Sequence, residues 1–163
     1  MSTRALVVTG GNKGIGRSIT DAFILAGYHV VIGSRSDDGL DDIDVAHFSH
    51  VKMDVRDEMA HRALCERAIQ VAGKLDAYVN NAGRSAWRPI SRIDDAFFDE
   101  LMAINLKGAF WGCKAAALAM AETGGAIINI SSMAAKRGSA NNAMYCATKF
   151  GMNGLTQSLC KEL

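Results

Sequence analysis

The sequence predicts an α/β fold built on a doubly wound parallel sheet, and three observations carry that prediction. Short, continuous apolar and β-branched runs alternate with segments of helical period along the chain. Sixteen glycines stand against one proline, as tight turns between strands and helices require. The first apolar run, ending at Thr9, empties into a glycine loop that opens a helix. Strands without polar alternation must be covered on both faces, and right-handed crossovers put helices on each.

Residues 4–11 form the first strand. Residues 13–27 follow as a helix: Ile15, Ile19, Ala22, Phe23 and Ala26 share a face, and Gly27 stops it. Residues 28–34 are the second strand. Residues 37–47 are acidic and aperiodic, a loop with at most one turn of helix. Residues 48–55 are the third strand. Residues 56–73 are a helix with Asp57 and Glu58 in its first turn and Gly73 past its end. Residues 74–83 are a fourth strand running into a turn. Residues 94–125 read as helix with a bend near Lys107–Gly108, residues 126–132 as a fifth strand ending at Ser132, and residues 143–163 as a last helix. This is a Rossmann-type order. No repeat, linker or low-complexity tract interrupts it, and 163 residues suit a single domain over 1–163.

Composition narrows the function. Eighteen basic against 17 acidic residues give a net charge of +1, without the basic excess of a nucleic-acid or anionic-membrane binder. No apolar run approaches the length of a membrane helix, about 18 residues. The cysteines, 65, 113, 146 and 160, lack C-x-x-C spacing and fall in helical segments, which fits reduced thiols in a cytoplasmic protein. His47 and His50 flank the acidic loop, but its aspartates lack a calcium-loop pattern, so no metal is expected. His29 and His61 fall at helix or strand edges. Trp87 and Trp111 read as packing groups; Trp87 is also placed to line a substrate cleft.

The loop at 9–16 reads Thr-Gly-Gly-Asn-Lys-Gly-Ile-Gly. Gly10 permits a tight turn, and Gly14 and Gly16 remove side chains where a pyrophosphate or a facing strand must come close. The helix that follows offers free N–H groups and partial positive charge to an anion. Further along, Tyr145 and Lys149 stand four apart, so on a helix they share one face.

These motifs, taken in order, resemble the short-chain dehydrogenase/reductase family. TGGNKGIG matches its TGxxxGIG loop, and NNAG at 80–83 its motif after the fourth strand. Asn105 in MAINLKG fits its helical asparagine. INISS and then YCATK fit its serine, tyrosine and lysine, with Ser132 lying 13 residues before Tyr145. The resemblance implies catalysis by Asn105, Ser132, Tyr145 and Lys149. A nicotinamide would carry the hydride while the protein moves a proton. A phenol, with an ordinary pKa of about 10, is a weak acid near neutrality. A lysine ammonium one turn away favours the phenolate, and a serine can hold the oxygen where charge develops. By resemblance Asn105 holds a water on a proton path to Lys149, and Lys149 also binds the nicotinamide ribose. The cofactor is expected against Gly10, Asn12, Lys13, Gly14, Ile15 and Gly16, then Ser34, Arg35, Asp54 and Val55, then Asn81, Ala82, Gly83, Tyr145 and Lys149.

Dinucleotide sites that bind an unphosphorylated ribose place an acid at the end of the second strand. Ser34 stands there, followed by Arg35, whose fork suits a 2′-phosphate. Lys13 is a second cation, so NADP(H) is expected over NAD, although Asp37, Asp38, Asp41, Asp42 and Asp44 follow closely. The expected reaction joins a ketone, such as a 3-oxoacyl thioester, to its secondary alcohol; the alternative is a nucleotide-binding module without turnover, or an inactive fragment. Family members continue past this point with further strands and a substrate-covering loop, so the sequence reads as C-terminally incomplete. The helices around Phe110 and Phe150 are apolar on most of their surface and need cover; the resemblance implies that they form a subunit interface, and so a homo-oligomer, a dimer or tetramer.

Overall fold

The computed structural model describes residues 3–163. Five strands form one parallel sheet: β1 Arg4–Thr9, β2 Tyr28–Ser34, β3 Phe48–Lys52, β4 Ala77–Asn80 and β5 Ala126–Asn129. Their order is β3-β2-β1-β4-β5. The chain thus starts in the middle, winds outward through β2 and β3, then returns to the other side of β1. Val8 pairs with Ile32 on one side and with Val79 on the other. Loops leaving the carboxyl ends of β1 and β4 part there, which opens a crevice at the switch point.

The sheet is covered on both faces, as its unbroken apolar strands require. On one face Val7, Val31 and Tyr78 pack with Leu64, Cys65 and Ala68 of α2 (Glu58–Ala72) and with Ala115 and Ala116 of α4 (Gly108–Ala119). On the other, Leu6, Val8, Val30 and Ile32 meet Ile19 and Phe23 of α1 (Gly14–Leu25) and Leu40 of the acidic loop. These strand residues are wholly buried, each contributing about 1.5–3 kcal/mol of apolar transfer. A third cluster joins Phe97 and Leu101 of α3 (Asp95–Met102) to Met144 of α5 (Ala143–Glu162).

Several local expectations change. The long helix at 94–125 is three pieces: α3, a π-helical segment Ala103–Lys107, and α4. Gly108 follows the π turn because a Cβ there would sit 3.0 Å from the Val55 carbonyl. The helix stops at Ala119, and Gly124 and Gly125 carry positive φ before β5. The fifth strand ends at Asn129, so Ser132 instead caps a short 3₁₀ turn at Met133–Ala135. Ile15 leaves the apolar face of α1 and is 68% exposed. Asp57 is the N-cap of α2, accepting from Met59 N, rather than a first-turn residue. His61 lies at no edge. It is wholly buried, bonded to Tyr78 Oη at 2.7 Å and to the Val55 carbonyl at 2.8 Å. Three cysteines are buried and Cys160 is exposed.

Candidate active site

A cleft of about 670 Å³ opens at the carboxyl ends of the strands. The glycine loop lines it through Gly10, Asn12, Lys13, Ile15 and Gly16; the end of β2 adds Ser34 and Arg35. Asp54 and Val55 come from beyond β3, Asn81, Ala82 and Gly83 from beyond β4, and Tyr145 and Lys149 from α5. The fold therefore brings together nearly every residue the sequence nominated. Gly14, Asn105 and Ser132 are not part of the cleft wall.

The loop is braced from behind. Gly10 and Gly14 have φ of +66° and +56°, and a Cβ at Gly16 would collide with the Gly10 carbonyl. Asn81 Nδ2 donates to the Thr9 and Gly10 carbonyls at 2.9 and 3.3 Å. Thr9 Oγ1 accepts from the backbone N–H groups of Asn81 and Ala82, both at 3.1 Å. Thr9, 2% exposed, is thus the clamp between the loop and the NNAG turn, a role the sequence did not signal. Asn12 Nδ2 donates to the Asp38 carbonyl at 3.0 Å and ties the loop to the acidic segment. Helix α1 begins with no side-chain cap and no acid in its first turn. Its leading N–H groups remain for an anion in the cleft. A braced glycine turn, an uncapped helix start and a neighbouring lysine and arginine fit a dinucleotide's phosphates.

At the other end, Lys149 is 4% exposed and donates from Nζ to the Ile130 carbonyl at 2.7 Å. Burial pulls its pKa below the ordinary lysine value. Nζ lies 5.9 Å from the Tyr145 ring centroid. A Cβ on Gly83 would come within 3.9 Å of Nζ and 3.3 Å of Asn105 Oδ1, so the glycine keeps that corner open. Asn105 sits in the π segment and is fully buried. Its Oδ1 accepts from Arg84 N at 2.7 Å, while its Nδ2 donates to the Arg84 carbonyl at 2.8 Å and to Thr148 Oγ1 at 3.3 Å. Its side chain thus pins the strand of backbone just past NNAG against α5. Ser132 Oγ accepts from Ala134 N at 3.1 Å, and among the described residues its own hydroxyl proton has no acceptor.

Charge is unevenly placed. Ser34 is buried, while Arg35 is exposed on the cleft wall. Asp54 accepts from Arg56 at 2.6 Å; that bond, with a smaller contribution from Arg35, holds its pKa below the usual carboxylate value. None of the five aspartates at 37–44 lines the cleft. Asp42 instead pairs with Arg17 at 2.7 Å, and Asp38 accepts from Ser36 Oγ at 2.9 Å. Arg84 and Glu100, both on the cleft wall, form an ion pair.

A family model described as short chain dehydrogenase matches residues 4–163, and the chain belongs to that family. It is 34% identical to cis-2,3-dihydrobiphenyl-2,3-diol dehydrogenase of Rhodococcus globerulus, aligning 100% of this chain with 61% of that protein. It is 33% identical to 3-oxoacyl-(acyl-carrier-protein) reductase of Staphylococcus aureus, over 99% of this chain and 69% of that one. A solved structure of a variant actinorhodin polyketide ketoreductase with NADPH superposes with a TM-score of 0.91 at 30% identity, over 98% of this chain and 65% of that chain. The chain thus spans roughly two thirds of each relative. Among the described residues no helix is long and apolar enough to cross a membrane.

Proposed function

We propose that the protein is an NADP(H)-dependent oxidoreductase that interconverts a small ketone and its secondary alcohol. The observation that carries the reading is one cleft lined at one end by the braced glycine loop and at the other by Tyr145 and the buried Lys149. When bound, the nicotinamide exchanges a hydride with the carbonyl carbon. In the reducing direction Tyr145 Oη gives its proton to the substrate oxygen, and Lys149 Nζ stabilises the phenolate left behind. Ser132 Oγ keeps its proton and donates a hydrogen bond to the same oxygen as charge gathers there, in the role the family resemblance implies. Asn105 fixes the Arg84 backbone beside Lys149 and so holds the cleft's shape. Arg35 and Lys13 receive the 2′-phosphate; the serine at the end of β2 and the withdrawn aspartates support this choice over NAD. A 3-oxoacyl thioester is the first substrate to try, given the Staphylococcus aureus relative.

The test is NADPH oxidation with a panel of ketones that includes a 3-oxoacyl thioester. Turnover is expected with NADPH and is expected to vanish in Tyr145→Phe; activity that survives this change would sink the mechanism. Arg35→Asp should lower the NADPH/NADH ratio of kcat/KM, and an unchanged ratio would remove the NADP assignment. A second reading, nucleotide binding without turnover, draws on Ser132 lying outside the cleft wall. NADPH binding with no oxidation across the panel would favour it. The groove of about 660 Å³ between α3, α4 and α5, with Met102, Leu106, Phe110 and Leu155 in its walls, supports a homo-oligomer. Light scattering at the mass of a single 17.4 kDa chain would remove that reading.

A further inference from the structure

The turn that presents Arg35 is built by side chains, and one of them comes from another strand. Ser34 Oγ donates to the Ser36 carbonyl at 2.6 Å, closing the turn across Arg35. With its single proton committed there, the oxygen is free to accept. His50 Nε2 lies 2.9 Å from it. That geometry makes Nε2–H the donor and leaves His50 Nδ1 without the proton in the neutral ring. His50 sits on β3 opposite Ile32, diagonal to Ser34 and on the same sheet face. Ser34 is 8% exposed, so its hydroxyl has little water to fall back on. The Ser34 carbonyl is held as well, accepting from Met53 N at 2.9 Å. Ser34, Arg35 and Ser36 all line the cleft, whereas His50 does not.

We propose that His50 is a positioning residue for cofactor choice: through Ser34 it sets the turn that aims Arg35 at a 2′-phosphate. The proposal rests on the NADP(H) reading of the site. His50 touches no ligand itself. Its imidazole N–H fixes the Ser34 hydroxyl toward Ser36, and without that donor the hydroxyl can rotate and release the turn. Arg35 then samples more orientations, and the cost falls on ligands that carry the 2′-phosphate. The adenine and 5′-phosphate contacts, at Asp54, Val55 and the glycine loop, lie elsewhere and should be spared.

The experiment is calorimetric titration of the 163-residue chain with adenosine 2′,5′-bisphosphate and, separately, adenosine 5′-monophosphate. His50→Phe should weaken the bisphosphate about three- to ten-fold, the value of one neutral hydrogen bond, and leave the monophosphate within about two-fold. His50→Gln, which restores an N–H donor, should recover most of the loss. Ser34→Ala should reproduce His50→Phe and serves if that variant does not fold. Equal weakening of both ligands in His50→Phe would mean general damage and overturn the proposal, as would failure of Gln to rescue. If wild type prefers the bisphosphate and Arg35→Gln abolishes the preference while His50→Phe and Ser34→Ala keep it, His50 is excluded and the NADP(H) reading stands. If wild type shows no preference, both fall together.

Discussion

Replacing Asn105 by alanine separates support from chemistry. The side chain is fully buried and spends its amide on three partners: Arg84 N at 2.7 Å, the Arg84 carbonyl at 2.8 Å and Thr148 Oγ1 at 3.3 Å. Each bond is worth about 0.5–1.5 kcal/mol net, the longest at the low end. Removal also leaves both Arg84 backbone groups without their side-chain partner, although Arg84 itself is exposed. The combined loss should be about 3 kcal/mol. For a chain of this size each kcal/mol moves Tm by about 2–4 °C, so the midpoint should fall by about 6–12 °C. Urea melts followed by circular dichroism would read the same loss as a lower midpoint at unchanged slope. Because Arg84 lines the cleft, NADPH affinity should fall in parallel. A midpoint within about 2 °C of wild type would show that the Arg84 backbone finds other partners, and would refute the bracing argument.

Other outcomes follow from the same geometry. Gly16→Ala drives a methyl into the Gly10 carbonyl, and dinucleotide affinity measured by NADPH fluorescence should drop at least ten-fold, about 1.4 kcal/mol. Thr9→Val removes the acceptor for two N–H groups of the NNAG turn and should cost about 1–3 kcal/mol in a urea melt. His61 is buried and its pKa is held below the ordinary value of 6.5. Above that value it is neutral in both states; as pH falls through it, the unfolded chain takes up a proton that the folded chain refuses. Wild-type stability should therefore decline from about pH 6.5 toward pH 5, before carboxylates titrate, and His61→Gln should flatten that decline in pH-resolved melts. His29, also lowered by burial, leaves a residual slope of the same sign.

The alternation of strands and helices, the doubly wound class and most of the cleft residues are legible because they depend on local pattern. Unbroken apolar strands, glycines at strand ends and a Tyr–Lys pair on one helix face are written within short windows of sequence. What escaped depends on distant neighbours. The bend near Gly108 is visible in sequence, but the close approach of Val55, more than fifty residues away, that crowds any Cβ there is not. Thr9 looked like an ordinary strand end, and its role exists only because β4 lies beside β1. Ser132 reads as a strand end because the apolar run points toward it, while the backbone leaves the sheet after Asn129 and uses the serine as a cap. His50 stands near the acidic loop in sequence yet answers to Ser34 on the neighbouring strand.

The strand order also sets a timetable for folding. β1 pairs with β2 across a short span, Leu6 with Val30, but its other neighbour is far off, Leu6 with Ala77. The β1-α1-β2 unit can therefore close early, whereas the second half of the sheet must wait for a loop of about seventy residues to be paid in entropy. The glycine loop hangs from that early unit, yet the threonine and asparagine that brace it meet only when β4 docks. The bracing of the glycine loop is thus completed only when β4 docks, and in a chain with β4 undocked the loop would stand without the Thr9 and Asn81 bonds that fix its shape.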